Sequence, residues 1–354
     1  MKVQVVIGAN YGDEGKGLVS GCLAREADKN NEKTLTVFYN GTTQRAHTFE
    51  GEVHRSMAAG TKYGSDTYYH EQFVIDPISI WILQAKPIIN GNCRVILPCD
   101  VLKNRQLEQD RGAARHGSCG FGLFEAVKRC KNPEDDLRMY ELLDAFNSYR
   151  KIKRILTKYR TPDDELYNLS NFMMAVNFIV KHSKVCEFGE AIKNYDTVIF
   201  EGGQGLLLDQ NNKDDFPHLT PSSTGSFYIS KDINKLDVEP ELFYVSRSYM
   251  TRHGAGPMES ECRKEDINSD IIDNTNVDNE WQGSLRFGKI NTETLKERIL
   301  QDSSLYNRKK LNLVLTQLNY TNNKILTTEG YKSINKPSFA DALYVSDQKD
   351  YMEK

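Results

Sequence analysis

The segment Gly8-Ala9-Asn10-Tyr11-Gly12-Asp13-Glu14-Gly15-Lys16-Gly17 carries the residues best suited to chemistry. Its glycines let backbone N–H groups approach an anion closely, and Lys16 offers a point charge to a terminal phosphate. Val3 to Ile7 reads as a strand leading in, and Leu18 to Ala24 as a helix leading out. The helix start would then add its dipole to the cradle. A standard P-loop needs Ser or Thr directly after the lysine, whereas Gly17 stands there. Asp13 and Glu14 are unusual company for a phosphate, because a carboxylate repels it unless it binds Mg2+ or moves a proton.

The elements that must position this loop follow from three further apolar runs. Thr34 to Tyr39 runs into a Gly-Thr-Thr turn, Thr197 to Phe200 into Glu201-Gly202-Gly203-Gln204-Gly205, and Leu311 to Leu318 is the last. Such runs, ending in small or polar residues, read as buried parallel strands feeding functional loops. Helical stretches lie between them, at Asp135 to Lys158 and Leu166 to His182. The alternation predicts an α/β fold with a largely parallel central sheet flanked by helices and a P-loop-like phosphate site at the C-terminal strand edge. Residues 1–354 read as one domain, without repeats, low-complexity tracts or a Pro/Gly/Ser linker. Asp266 to Asn279 is acidic and Asn-rich and reads as an exposed loop.

Composition narrows the function classes. With 39% hydrophobic and 27% charged residues among 354, the chain suits a soluble globular protein. Lys+Arg 46 against Asp+Glu 49 gives a net charge of −3, which argues against a broad basic surface for nucleic acid. No stretch approaches the roughly 18 apolar residues of a membrane span. The N-terminus lacks the features of a signal peptide, so a cytoplasmic location is expected. Seven cysteines without a Cys-x-x-Cys pair or zinc-ligand spacing read as reduced thiols.

The residues also carry a family resemblance. Gly12-Asp13-Glu14-Gly15-Lys16-Gly17 resembles the Gly-Asp-Glu-Gly-Lys-Gly loop of adenylosuccinate synthetases. Further blocks follow in family order: Ala46-His47-Thr48, then Arg111-Gly112-Ala113 with Gly117-Ser118-Cys119-Gly120-Phe121-Gly122. Phe200-Glu201-Gly202-Gly203-Gln204-Gly205 with Leu207-Leu208-Asp209, and Thr251-Arg252-His253-Gly254-Ala255-Gly256-Pro257, complete them. The family joins the amine of aspartate to C6 of a 6-oxopurine nucleotide, phosphorylating the oxygen first so that it can leave.

The resemblance implies roles residue by residue. Asp13 would take the ring proton, and with the main chain of Ala46 would hold Mg2+. His47 would stabilise charge on the transferring phosphoryl group, Lys16 would meet the donor phosphates, and Gln204 would bond the base near C6. The donor nucleotide would be bound by Gly12, Asp13, Glu14, Gly15, Lys16, Gly17, His47, Thr48, Gln317 and Asn319. The acceptor nucleotide would contact Asp13, Gln44, Arg45, Ser118, Cys119, Arg129, Gln204 and Thr220. Arg129 would reach the neighbouring site of a homodimer. Aspartate would be bound by Gln282, Gly283, Ser284 and Arg286.

Three departures from the family pattern bear on substrates. Its guanine-reading Thr-Lys-x-Asp appears as Thr316-Gln317-Leu318-Asn319. An amide can donate to the unprotonated ring nitrogen of adenine and accept from its amino group, so ATP or dATP is expected as donor. In the amino-acid loop Ser284 replaces an arginine that approaches a ribose 2′-hydroxyl, and Arg286 remains for a substrate carboxylate. Asn-Asn-Ala-Gly-His-Thr appears as Thr42-Thr43-Gln44-Arg45-Ala46-His47-Thr48. Together these resemble the phage branch of the family, which makes succino-2-amino-2′-deoxyadenylate from dGMP and L-aspartate. Asp13 pulls the other way, since many members of that branch carry Ser there; IMP stays open as the acceptor.

Overall fold

Val3, Val5, Val6 and Ile7 leave no polar side on their strand, and the strand they form is buried on both faces. This is β1 (Lys2–Gly8), in a computed structural model that describes every residue except 44, 163, 274, 275, 277–280, 348 and 349. Seven more strands join it: β2 (Thr34–Phe38), β3 (Asp66–Tyr69), β4 (Ile88–Ile89), β5 (Thr197–Gly205), β6 (Glu241–Arg247), β7 (Lys310–Thr316) and β8 (Ala342–Val345). Their order is β8-β7-β6-β1-β5-β2-β3-β4, and every neighbouring pair is parallel.

Helix α1 (Lys16–Lys29) covers one face, setting Val19, Leu23 and Ala24 on Val6, Ile199, Phe243 and Val314. On the other face Val5, Ile7, Val37 and Phe200 meet Ile229 and Ile233 of helix Phe227–Lys235 and Leu295 and Ile299 of helix Thr292–Ser303. A second apolar cluster extends from Phe38 and Tyr69 to Val101, Ile152, Ile155 and Phe172, on helices Pro98–Arg111, Ala145–Lys158 and Leu169–His182. Asp144 and Asn168 cap the last two helices through their side chains, so those helices begin later than the sequence pattern suggests.

Because all eight strands run the same way, their C-terminal ends share one edge. The chain leaves β1 towards β2 on one side of it and later fills the other side with β6 and β7. In α/β sheets such a reversal is where ligands bind, outside the C-terminal ends of the strands. A small antiparallel sheet of Met250–His253, Leu285–Gly288 and Glu261–Cys262 stands beside that edge.

The acidic stretch from Asp266 is not simply a solvated loop. Ile267 and Ile271 are buried with Tyr249 and Leu326, and Asp273 pairs with Arg247 at 2.7 Å. Its acidic composition concealed two apolar anchors; part of it lies outside the described residues.

Candidate active site

At the end of β1 the chain turns through Gly12 (φ +113°) and Gly15 (φ +102°) into α1. The two loop carboxylates part company here. Glu14 turns inward: Oε1 accepts from the backbone N–H of Asn10 and of Gly12, both at 2.9 Å, while buried Oε2 has no hydrogen-bond partner. Lys16 is buried, donates to the Gly12 carbonyl and lies 4.0 Å from Glu14. Burial draws both towards their neutral forms, raising the Glu14 pKa and lowering that of Lys16.

Asp13 stays half-buried. Burial raises its pKa against the pull of Arg247 and Lys16, so its carboxylate is a stronger proton acceptor than an exposed one. Its carbonyl accepts from Arg247 Nε, and Arg247 in turn pairs with Asp273. Arg298 braces the same loop, donating to Asn10 Oδ1 at 2.8 Å and to the Ala9 carbonyl at 3.3 Å.

The missing P-loop hydroxyl has a steric cause. A Cβ on Gly17 would stand 2.5 Å from the Cβ of His47, so the histidine fills the space beside the first turn of α1. His47 is held from below by Glu201 near the middle of β5, with Nδ1 2.5 Å from Oε1. The other carboxylate oxygen accepts from Ser20 of α1 at 2.5 Å. Burial would raise the Glu201 pKa, but Arg45, His47 and Ser20 together bring it down to about 2. Burial and the neighbouring Arg45 bring His47 down to about 4, so the ring is neutral near pH 7, with Nδ1 facing Glu201 and Nε2 turned from it. Sequence reasoning quoted Glu201 within a block but gave it no task; a carboxylate inside an apolar strand run was the available signal.

Arg45 is placed differently from the acceptor contact expected of it. It is buried, its Nη2 lies 2.7 Å from Glu201 Oε1 and 3.3 Å from His47 Nδ1, and its guanidinium stacks 3.6 Å over Phe38. Thr48 Oγ1, next along, is buried without a partner. Gln44 lies outside the described residues. Ala46 is half-buried between Arg45 and His47.

From the end of β5, Gln204 faces the phosphate loop: Oε1 lies 3.0 Å from where a Cβ on Gly12 would stand. Gln204 also lines a cleft of about 680 Å3, together with Ser118, Cys119, Thr220, His253 and Gln282. The expected acceptor residues Ser118, Cys119, Gln204 and Thr220 are thus gathered in one cavity. Buried Glu108 shapes it, accepting from the N–H groups of His116 and Gly117 at 3.1 and 3.3 Å and pairing with Arg111. Ser118 donates to Asn104 Oδ1 at 2.7 Å.

Arg129 must be corrected. It is buried, not outstretched: Nε and Nη2 engage Asp100 at 2.8–3.1 Å, Nη1 donates to the Asp135 carbonyl at 2.5 Å and Nη2 to the Val95 carbonyl at 2.7 Å. In this chain all its donor groups are thus engaged by its own protomer. Arg111, Lys128 and Lys131 are the cations on that wall of the cleft.

Beyond β7, Gln317 takes a left-handed conformation (φ 61°) and Asn319 stands exposed in the following 3-10 turn. Thr316 Oγ1 donates to the Glu14 carbonyl at 2.7 Å, tying this turn to the phosphate loop. In the amino-acid loop, Gly283 and Ser284 are exposed, and the Gly283 carbonyl lies 2.9 Å from His253 Nε2. Arg286 is already paired: Nε and Nη2 grip both oxygens of Glu261 at 2.8 and 2.5 Å, and Nη1 donates to the Gly254 and Gly256 carbonyls.

Among the described residues no group of three His, Cys, Asp or Glu could cage a metal ion. Mg2+ commonly binds through one or two carboxylates and takes its other oxygens from water and phosphate. Asp13, a half-buried carboxylate beside a glycine-rich anion loop, fits that mode.

Comparison with known proteins follows the same lines. The sequence profile described as adenylosuccinate synthetase matches residues 5–297. An adenylosuccinate synthetase of Cyanothece sp. is 24% identical over 285 residues, covering 73% of this chain and 62% of that protein. One of Brevibacillus brevis is 26% identical over 291 residues, covering 74% and 65%. The chain therefore spans less than two thirds of these relatives' length. Among solved structures, a fully ligated adenylosuccinate synthetase of Plasmodium falciparum superposes with a TM-score of 0.69 at 17% identity, covering 90% of this chain and 78% of that one. A succinoaminodeoxyadenylate synthetase of cyanophage S-2L, bound to dGMP and dATP as an energy donor, gives 0.61 at 14% identity, covering 98% and 93%. No described helix is long and apolar enough to cross a membrane.

Proposed function

The chain belongs to the adenylosuccinate synthetase family, and from that premise we propose that it is a ligase joining L-aspartate to C6 of dGMP. The phosphoryl donor is ATP or dATP, and the products are succino-2-amino-2′-deoxyadenylate, ADP or dADP, and phosphate. The observation that carries the reading is the turn after β7. Asn319, not a carboxylate, is exposed there, on a turn fastened to the phosphate loop through Thr316 and Glu14. A guanine needs an acceptor for two adjacent N–H groups; an amide offers one donor and one acceptor, which suits adenine.

In this reading Asp13 takes the ring proton of the acceptor purine. The purine oxygen then attacks the terminal phosphoryl group of the donor, and the amine of aspartate displaces the phosphate so formed. Glu201 fixes the imidazole of His47 so that Nε2 is the nitrogen available to the phosphoryl oxygens. Gln204 holds the base, Thr220 the acceptor phosphate, and Arg286 a carboxylate of aspartate. Asp13 and the Ala46 carbonyl would hold a Mg2+, which supplies charge neutralisation at the donor phosphates. Two further observations support the deoxynucleotide: Ser284 in place of arginine, and a cyanophage enzyme described with dGMP and dATP that matches this chain over 98% of its length.

The second reading, an adenylosuccinate synthetase acting on IMP, is favoured by the names of the curated relatives and by the retained Asp13. Phosphate release with aspartate and ATP, supplied with dGMP or with IMP, separates the two. Faster turnover with dGMP is expected; equal or faster turnover with IMP selects the second.

A further inference from the structure

Helix Pro98–Arg111 sends Arg105 over two aromatic rings, its guanidinium carbon 4.7 Å from the Tyr167 centroid and 5.7 Å from that of Trp281. Its Nε donates to the Gly120 carbonyl at 3.1 Å, and Nη2 lies 3.4 Å from Tyr167 Oη. Gly120 sits just after Ser118 and Cys119, whereas Trp281 directly precedes Gln282. The two segments also touch directly. Gly120 has φ +76°, and a Cβ on it would stand 3.1 Å from Cδ1 and Cγ of Trp281, so the indole lies flat against its Cα. Gly117 in turn abuts Ala255, next to the carbonyls that Arg286 binds. The loop 117–120 and the loop 281–286 therefore share one cation and one ring.

We propose that Arg105 is a positioning residue that couples the acceptor-nucleotide loop 117–120 to the amino-acid loop 281–286, so that filling one subsite pre-forms the other. The inference rests on the assignment of those two loops to the two co-substrates under the proposed function. A cation held over two aromatic rings is attracted to both, and Arg does this while keeping an N–H for a carbonyl. Moving Gly120 moves the guanidinium, and the guanidinium moves Trp281. Coupling of this kind is reciprocal: if the nucleotide tightens aspartate binding, aspartate tightens nucleotide binding by the same factor.

The chain has two tryptophans, Trp81 and Trp281, so Trp81→Phe leaves Trp281 as the sole indole reporter. In that background the indole emission should respond to dGMP or IMP added without aspartate, and Arg105→Met should abolish the response. In turnover assays the aspartate KM should fall as the acceptor approaches saturation. Arg105→Met should remove that dependence and raise the aspartate KM about tenfold, with kcat changed by no more than about threefold. Arg105→Lys, which keeps the charge over the rings, should recover part of the loss. An aspartate KM within about twofold of the parent in Arg105→Met, or an unchanged emission response, overturns the proposal. If neither nucleotide is turned over, the functional reading fails by itself, and the emission measurement alone decides whether the loops are coupled.

Discussion

His47 and Gly17 are in steric register: a Cβ on residue 17 would stand only 2.5 Å from the histidine Cβ. The P-loop pattern is therefore broken at a position where any Cβ would collide with His47. Gly17→Ala should push the imidazole away from the start of α1. Overpacking of this kind costs about 1–3 kcal/mol, and a catalytic group misplaced by about 1 Å loses roughly a hundredfold in rate. Thermal unfolding and phosphate release measured on the same preparation should show a modest loss of stability and a large loss of kcat.

The Glu201–His47 pair makes stability depend on pH with a definite sign. His47 has a folded pKa of about 4 against 6.5 unfolded, so between those values only the unfolded chain takes up the proton. Glu201 behaves likewise between 4.5 and about 2. Both contributions are complete above about pH 6.5 and are lost on acidification, His47's first and Glu201's as pH falls through about 2. His47→Gln should flatten the melting temperature between pH 6.5 and 4 relative to the parent, a difference on the order of a few kcal/mol. Parallel curves would show that the ring is not held neutral.

Under the proposed function, donor choice rests on the side chain at 319. Asn319→Asp restores an acceptor for two N–H groups and should move the ratio of kcat/KM for GTP over ATP upward by about ten- to a hundredfold. An unchanged ratio would remove Asn319 from base recognition.

Arg286 and Glu261 form a fork-to-fork pair, so under the proposed function a substrate carboxylate would have to take the guanidinium from an internal rival. Glu261→Gln weakens the rival without removing its shape. The aspartate KM should fall several-fold; a rise would mean that the pair builds the subsite and that Glu261 positions Arg286 for use.

Arg129→Ala strips a buried carboxylate, Asp100, of its partner and should cost roughly 3–5 kcal/mol. Mixing this variant with an Asp13→Asn variant should give no recovery of activity, since Arg129 serves its own chain. Recovery would restore the cross-subunit role expected from the sequence.

Legibility in the sequence followed the strength of local signals. β1, β2, β5 and β7 were visible because their apolar runs end in glycine or polar turns, and glycine-rich spacing marked the phosphate loop. β3 begins Asp66-Thr67 and β4 has two residues, so neither carries a run long enough to notice. β6 contains Leu242-Phe243-Tyr244-Val245 and could have been read, but charged residues at both ends masked it. At the site, glycine-rich spacing drew attention to Asp13 and Lys16, whereas His47 and Gln204 came into view only through the family resemblance of their blocks. Glu201, Arg247 and Arg105 were not legible, because their importance lies in partners 154, 234 and 15 residues away along the chain. The buried acceptors of Arg45 and Arg129, Glu201 and Asp100, were hidden for the same reason.

Glu14 gives the loop a resident anion. With its carboxylate on the N–H groups of Asn10 and Gly12, this bend is fastened whether or not a nucleotide is nearby. Under the proposed function an arriving triphosphate would meet a receptacle that is already shaped, with little of its affinity consumed in ordering the chain. Capture should then be limited by diffusion and charge rather than by a slow rearrangement of the loop.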